Sequence, residues 1–350
     1  MKDQYFFRVV SQSPTEFWIN NPTRTHADLA IANQASGCTN NPSYSQKMYD
    51  HPQEGIYAKP LLIEAIKESD NDDEVAAIFQ AKLVAPICEK FMPLFKKTNG
   101  VKGFVSIQGD PIREDDPDVV IREALKNRKI SPNICCKIPT TSSGLIAMEY
   151  LIGKDIPINA TEIFGISQGV VLCETYMRIS RQTGNSPQLY ISHIAGIYDD
   201  HLRNVVEHDQ IEISPDVLWQ GGMAVARKFY QIKEERGYPG VIVAGGARGL
   251  QHFTEMVGGH ICCTINWEGT ADKLLEQNPP VVYRLFNPVE QKVIDELVEK
   301  IPDFKRGWEE DGLGIEEFED FGPVQLFRSS FLSSWRRVLG LIKEHREMLS

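Results

Sequence analysis

The sequence predicts an α/β fold, a single-domain (β/α)8 TIM barrel. Three observations lead there. Eight short strand-like segments alternate with helix-like segments over most of the 350 residues. Their spacing is nearly even, and no Gly-x-Gly-x-x-Gly follows the first strand, which counts against an open doubly wound sheet. Polar residues close strand after strand, and in such barrels those ends form the face that carries chemistry.

The elements follow in order. Glu16–Asn20 is the first strand, closed by Asn21-Pro22, and Thr25 to Gln34 is a helix. Ser36–Asn40 is the second strand, closed by Asn41-Pro42. A long helical region runs from Ser43 to about Gly100. It includes Lys59–Glu68 and Asp73–Lys97, with apolar residues at helical spacing. Gly103–Gln108 is the third strand, stopped by Gly109-Asp110-Pro111, and Asp116–Asn127 is the next helix. The fourth strand, Asn133–Pro139, ends in a lysine and a proline. Ser142 or Ser143 is the expected cap of a helix reaching Gly153.

Ile156–Thr161 is strand five, and a helix from Ser167 to Thr183 follows. Gln188–His193 is strand six, with its helix placed at roughly Ser214 to Gly237. Gly240–Gly245 is strand seven, then a helix from Leu250 to Val257. His260–Asn266 is strand eight, then Gly269 to Gln277. The stretch from Pro279 to Gly322 is acidic and less regular, with a helical part from Val289 to Lys300, and reads as an insertion. A last helix spans Gln325 to Met348. The barrel thus occupies about residues 15–278, the insertion 279–322 and the final helix 325–348, with no internal repeat or low-complexity linker.

Composition narrows the function. A net charge of -11 and the absence of any lysine- or arginine-rich block argue against nucleic acid and anionic membranes. No run of eighteen apolar residues occurs, and Met1 to Arg8 lacks the apolar run of a signal peptide. There are seven cysteines, and both adjacent pairs (Cys135-Cys136 and Cys262-Cys263) fall in strands, where neighbours point to opposite faces. That suits small buried hydrophobes better than a disulfide or a zinc site. The expectation is a cytoplasmic protein with no metal or cofactor and a small-molecule ligand; homo-oligomerisation is left open.

Lys137 is the residue around which function is read. A lysine at the end of a buried strand is costly, and burial lowers its pKa. At an ordinary pKa only about one lysine in 10³ is a free amine at pH 7, and a drop of about 3 units makes it a usable nucleophile. The competing explanation is a side chain that snorkels to solvent. The other strand ends favour the nucleophile. Asn20, Asn41, Gln108, Asn159, Thr161 and Ser192 come from strands one, two, three, five and six and ring the lysine. Singly they are turn formers or ordinary strand residues. Together they supply what Schiff-base chemistry needs: an amine, donors for substrate hydroxyls and a held water.

From about Thr15 to the final helix the chain resembles the transaldolase family of class I Schiff-base aldolases. Thr39-Asn40-Asn41-Pro42 resembles its Thr-x-Asn-Pro motif, Lys137-Ile138-Pro139 its Lys-Ile-Pro, and Asn159-Ala160-Thr161 its Asn-x-Thr. Ser106-Ile107-Gln108 stands where the family has Ser-x-Glu. Ile191 to Gly196 resembles Ile-Ser-Pro-Phe-Val-Gly, and Ala244 to Arg248 covers the place of a phosphate-holding arginine. The resemblance implies that Lys137 attacks a ketose carbonyl, that Asn41 and Asn159 hold hydroxyls of a three-carbon dihydroxyacetone unit, and that Thr161 positions a water. It also implies that Ser192 and Arg248 bind the phosphate of a sugar phosphate, in carbohydrate metabolism of the pentose phosphate type. Barrel phosphate sites after strands seven and eight, and the Gly245-Gly246 backbone, support the Arg248 role independently.

Three positions depart from the family. The strand-one aspartate that handles the C4 hydroxyl proton is Asn20, the strand-three glutamate is Gln108 (also found in fructose-6-phosphate aldolases), and a second arginine is Ile197. An amide cannot return a proton, and losing a general acid or base costs about 10²–10⁴-fold. Asp110, Glu162, His193 and Tyr198 are candidate replacements, although strand alternation turns Glu162 and His193 away from the barrel axis. The expected activity is therefore transaldolase-like. The alternatives are a specialised relative acting as a lyase on an altered sugar or cyclitol, and a non-catalytic sugar-binding barrel. Lys137 argues against the last, since a binding module has no use for a desolvated lysine.

Overall fold

The computed structural model describes residues 3–349. After α1 (Tyr5–Gln12) come β1 (Glu16–Asn20), α2 (Arg24–Ala32), β2 (Ala35–Asn40), α3 (Tyr44–Asp50), α4 (Glu54–Glu68) and α5 (Asp72–Lys97). Then follow β3 (Val105–Gln108), α6 (Pro117–Asn127), β4 (Ile134–Pro139), α7 (Ser142–Gly153), β5 (Ile158–Ile163) and α8 (Ile166–Thr183). Next are β6 (Leu189–His193), α9 (Ala195–His208), α10 (Pro215–Leu218), α11 (Gly221–Glu235), β7 (Val241–Ala244), α12 (Gln251–Thr254) and β8 (Ile261–Ile265). The chain finishes with α13 (Asp272–Gln277), α14 (Gln291–Lys300), α15 (Pro302–Trp308) and α16 (Gly322–Leu349). The eight strands are parallel and close in sequence order, β8 pairing with β1, so the predicted barrel is the observed one.

The strands alternate as their sequences require. Trp18, Phe104, Cys135, Tyr190, Val243 and Cys262 form an apolar plug inside the barrel, where the Trp18 and Tyr190 rings lie 4.6 Å apart. Gly37 makes room for it: a Cβ there would sit 2.3 Å from the Trp18 ring. Two residues further along the same strands, hence on the same face, come Asn20, Ser106, Lys137, Ser192, Gly245 and Thr264. The opposite-parity residues, among them Phe17, Ile19, Ile107, Cys136, Ile138, Ile191 and Cys263, join the main core beneath the helices. Both strand faces are thus buried, as parallel sheets require. All seven cysteines are buried and unpaired. No helix among the described residues is long and apolar enough to cross a membrane.

Four local readings need correction. The helix after β6 starts at Ala195, not near Ser214, so the stretch from Ala195 to His208 is helix α9 and not loop. The cap of α7 is Thr141, whose Oγ1 accepts from the Gly144 N–H at 3.0 Å. β5 runs to Ile163, two residues beyond Thr161. The 279–322 stretch carries a second helix, α15, and packs on α8, α10 and α11, with Phe304, Phe318 and Phe321 fully buried in the main core.

Candidate active site

Lys137 stands where β4 leaves the plug behind. It is 6% exposed, and its Nζ donates to Gln108 Oε1 at 2.7 Å. Gln108 lies opposite it in register on β3. Burial drives the lysine pKa down to about 8, against the opposing pull of the Glu162 and Glu114 charges. The free amine is therefore far more populated at neutral pH than for an exposed lysine. The strand stops at Pro139, and α7 packs so tightly behind it that a Cβ on Gly144 would come within 1.9 Å of the Pro139 carbonyl oxygen. The lysine backbone is held between strand pairing and helix.

A cavity of about 570 Å³ opens above it. Beside the ionisable Lys47, Asp50, His51 and Arg248 and the apolar Ile194, Ile197, Ile265, Phe327 and Phe331, its lining carries a set of neutral polar groups: Asn20, Asn21, Thr39, Asn41, Ser43, Gln46, Ser192, Thr264 and Asn266. These groups are already ordered. Asn20 Oδ1 accepts from the Thr39 hydroxyl at 2.9 Å, and its Nδ2 donates to Asn266 Oδ1 at 3.0 Å. Thr39 and Thr264 hydroxyls share a 2.7 Å hydrogen bond. Asn41 Oδ1 accepts from Asn21 Nδ2 and the Ser43 N–H, leaving its own Nδ2 as a donor. Asn159 bridges the barrel interior, its Nδ2 donating to Ser106 Oγ at 2.9 Å and its Oδ1 accepting from Ser192 Oγ at 2.7 Å. Thr161 is fully buried on β5, and its hydroxyl has no protein partner among the described residues.

The anion end is less open than the sequence suggests. Arg248 lines the cavity, but its Nε donates to Asp200 Oδ2 at 2.5 Å, and Arg203 pairs with the same carboxylate. Ile197 lines the wall beside it. Gly246 has φ +70 and lies against α9, which is the close backbone approach its type permits.

Of the four candidate proton carriers, Glu162 is the one the structure brings to Lys137, and the expectation that it turns away is wrong. Between Ala160 and Ile163, β5 advances three residues while β6 advances two, from Ile191 to His193. Glu162 takes up the extra residue with φ +61, in the left-handed region that non-glycine residues rarely adopt. Alternation is reset there, and Glu162 Oε1 accepts from Gln108 Nε2 at 3.0 Å. Lys137, Gln108 and Glu162 form one continuous chain of hydrogen bonds across β4, β3 and β5. Desolvation raises the Glu162 pKa, with Lys137 opposing it most strongly. Tyr198 is drawn elsewhere, donating to the Asp303 carbonyl at 2.7 Å. His193 is fully buried, neither ring nitrogen has a hydrogen-bond partner of good geometry among the described residues, and burial holds its pKa down to about 4. Asp110 accepts from the Ile112 N–H and lies beside Glu114, at a small void behind Lys137.

The sequence missed two contributors. α16 crosses the barrel mouth and places Phe331 and Phe327 with their ring centres 5.7 and 6.0 Å from Lys137 Nζ. The spacing of Phe327, Phe331 and Trp335 along one helix face was the available signal. Glu114, 4% exposed, has Arg328 of α16 2.8 Å from its Oε1; nothing in its loop sequence marks it. Among the described residues no cluster of three or more His, Cys, Asp or Glu side chains is arranged to hold a metal.

Comparison with known proteins agrees with this layout. The transaldolase of Mycobacterium tuberculosis is 25% identical over 244 residues, covering 65% of this chain and 64% of its own length. That of Mycobacterium marinum is 24% identical over the same spans. That of Thiobacillus denitrificans is 24% identical over 264 residues, 69% of this chain and 70% of its own. The matched region thus spans a little under two thirds of the mycobacterial relatives. A family model described as Transaldolase/Fructose-6-phosphate aldolase matches residues 17–310. A match that long, on a closed eight-stranded barrel, shows that the chain belongs to the transaldolase/fructose-6-phosphate aldolase family.

Proposed function

We propose that this protein is a transaldolase-like class I aldolase in which Lys137 forms a Schiff base with a ketose. The observation that carries the reading is Lys137 itself. A buried amine with a pKa near 8 faces a cavity that offers it a cluster of amides and hydroxyls. The relatives named above are transaldolases, which supports the same class. In this scheme the free amine adds to the ketose carbonyl, and the carbinolamine loses water to give an iminium ion. Loss of the C4 hydroxyl proton to a base lets the carbon–carbon bond beyond the three-carbon unit break; the remainder leaves as an aldehyde and a dihydroxyacetone enamine stays on the lysine. Transfer to an aldehyde regenerates a ketose, and protonation followed by hydrolysis releases dihydroxyacetone. In this reading the Asn41 Nδ2, which lines the cavity, holds a hydroxyl of the bound unit, and the Thr161 hydroxyl holds a water; Asn159, fully buried with its amide bound to Ser106 and Ser192, acts by ordering Ser192 and reaches a ligand hydroxyl only by exchanging one of those partners.

A second reading, an altered sugar or cyclitol substrate, is favoured by two specific features. Asn20 is tied by both ends of its amide into a neutral network. Arg248 is already paired with Asp200, and Ile197 lines the adjacent wall. The test is reduction with borohydride in the presence of fructose 6-phosphate or dihydroxyacetone, followed by peptide mass analysis. A reduced three-carbon adduct on Lys137 is expected, and absence of any adduct with a panel of ketoses would overturn the proposal. An adduct with dihydroxyacetone but not with fructose 6-phosphate would select the altered-substrate reading.

A further inference from the structure

Behind Lys137, on the side away from the large cavity, lies a group of acids that the scheme above does not use. Glu162 is fully buried on β5, and Glu114 is nearly so in the loop after β3. Asp110 and Glu123 line the same small void as Glu114, Gln108 and Lys137. Its volume, about 20 Å³, suits a single water. The cations facing this group are Lys137 from β4 and Arg328 from α16. Arg113 and Lys126 reach only its outer members, Asp110 and Glu123.

Three features make Glu162 more than a filler. Its backbone is held in a sparsely populated left-handed conformation that a non-glycine residue keeps only when its surroundings impose it. That conformation is actively secured: Gln168 Nε2 donates to the Glu162 carbonyl at 3.0 Å and to the Thr140 carbonyl at 3.2 Å, while Gln168 Oε1 accepts from the Phe164 and Gly165 N–H groups. One carboxylate oxygen binds Gln108, and the other, Oε2, is buried without a protein partner among the described residues. A carboxylate serving the fold alone is normally satisfied at both oxygens, because an unpaired buried polar atom is costly. Gln108 has two possible orientations of its amide. Only an acceptor on its Nε2 side directs Oε1 at Lys137, and Glu162 is that acceptor.

We propose that Glu162 is the positioning residue of the Lys137 centre: the β5 bulge brings its carboxylate in to orient Gln108 onto the lysine amine and to balance the lysine's charge while it is an ammonium. The proposal rests on the Schiff-base reading of Lys137 only for its activity readout. Glu114 shares the duty. Burial raises its pKa and the Glu162 charge raises it further, with Arg328 and Lys137 opposing the rise, so the two carboxyls compete for ionisation. Arg328 ties this pair to α16, the helix whose phenylalanines lie over the amine.

The test uses the full chain and two readouts. The first needs no substrate. The pH dependence of Lys137 acylation by acetic anhydride, followed by peptide mass, gives the midpoint of its ionisation. Glu162→Gln keeps an acceptor for Gln108 but removes the charge. Its midpoint should fall by about 1 pH unit, as expected for loss of a nearby opposite charge. The double variant with Glu114→Gln should fall further, since Glu114 otherwise ionises in compensation. The second readout is borohydride trapping with dihydroxyacetone at pH 7. Glu162→Gln should retain trapping, whereas Glu162→Leu, which leaves Gln108 Nε2 unpaired, should slow it at least about tenfold with the chain still folded by its melting curve. An unchanged midpoint in both the single and the double variant would overturn the proposal, as would equal trapping by the Gln and Leu variants. Failure of wild type to trap would instead refute the Schiff-base reading, and the midpoints would still decide the role of Glu162.

Discussion

The two flanks of the Lys137 layer are built from different chemistry. On the β8–β1–β2 flank the groups are neutral and closed on one another: Asn20 to Thr39, Thr39 to Thr264, Asn20 to Asn266. On the β3–β4–β5 flank they are ionisable, and a chain runs from the lysine through Gln108 to Glu162, with Glu114 and Arg328 beyond. The contrast shows that this barrel has not simply lost carboxylates relative to the family it belongs to. A buried charge lies behind the lysine, on a strand bulge, while Asn20, Thr39, Thr264 and Asn266 keep the other flank of the lysine layer neutral.

The largest effect is expected at the lysine, the origin of the contrast. Lys137→Met should abolish adduct formation, a loss of at least about 10³-fold in trapping. It should also stabilise the protein at neutral pH by roughly 2–3 kcal/mol, because it removes a desolvated cation. The pH dependence has a definite sign. The folded lysine titrates near 8 and the ordinary value is 10.5, so between these values the unfolded chain binds more protons. Stability of the wild type, relative to the Met variant, should therefore rise as pH increases from about 8 to 10.5 and level off outside that window. Urea unfolding at pH 7, 9 and 10.5 measures it. A flat difference would mean that the lysine is not desolvated.

The next effect tests the neutral flank. Asn20→Asp places a carboxylate where the wild type has none, and Asn266 can accommodate it by turning its amide to donate. Cleavage of fructose 6-phosphate should rise by about 10²-fold if proton handling at this flank is what limits it. Trapping of dihydroxyacetone, which needs no such proton, should change little. A rise in both would show that the flanks are not independent.

These experiments also separate what could be read in the sequence from what could not. The plug and the polar layer follow from a period of two: once Trp18, Phe104, Cys135, Tyr190 and Cys262 lie inside, Asn20, Ser106, Lys137, Ser192 and Thr264 must do so as well. The neutral flank was legible for that reason. The charged flank was not, because its key residue breaks the period. The bulge at Glu162 depends on Gln168 holding its carbonyl from the following helix, a contact that no local pattern announces. A signal did exist: both faces of a parallel barrel strand are covered, so a glutamate on either face is a buried charge in need of a partner. The placement of α16 over the lysine was hidden for a different reason. Helical periodicity shows that a helix has an apolar face but not which part of the barrel it covers. α9 begins inside the strand-six motif itself, at Ala195, so motif residues and helix start coincide there with no separating turn.

The smallest effect concerns the rim, where the Arg248 guanidinium is already engaged by a carboxylate. Asp200 accepts from Arg248 and also pairs with Arg203, so two cations share one carboxylate at the edge of the cavity. The pair is partly exposed, with side-chain exposures of 43% for Arg248 and 28% for Asp200, so it contributes at most about 1 kcal/mol to stability. Asp200→Asn should therefore leave the melting temperature nearly unchanged. Its consequence is electrostatic: freeing the Arg248 guanidinium, whose planar fork suits phosphate, should lower KM for a ketose phosphate by about three- to tenfold. The effect should shrink as salt is raised and vanish for neutral dihydroxyacetone. Equal improvement for both ligands would place the change in the shape of the rim. No improvement for either would mean that Arg248 does not meet the ligand's anion, and the specificity of this barrel would then rest on its amides and hydroxyls alone.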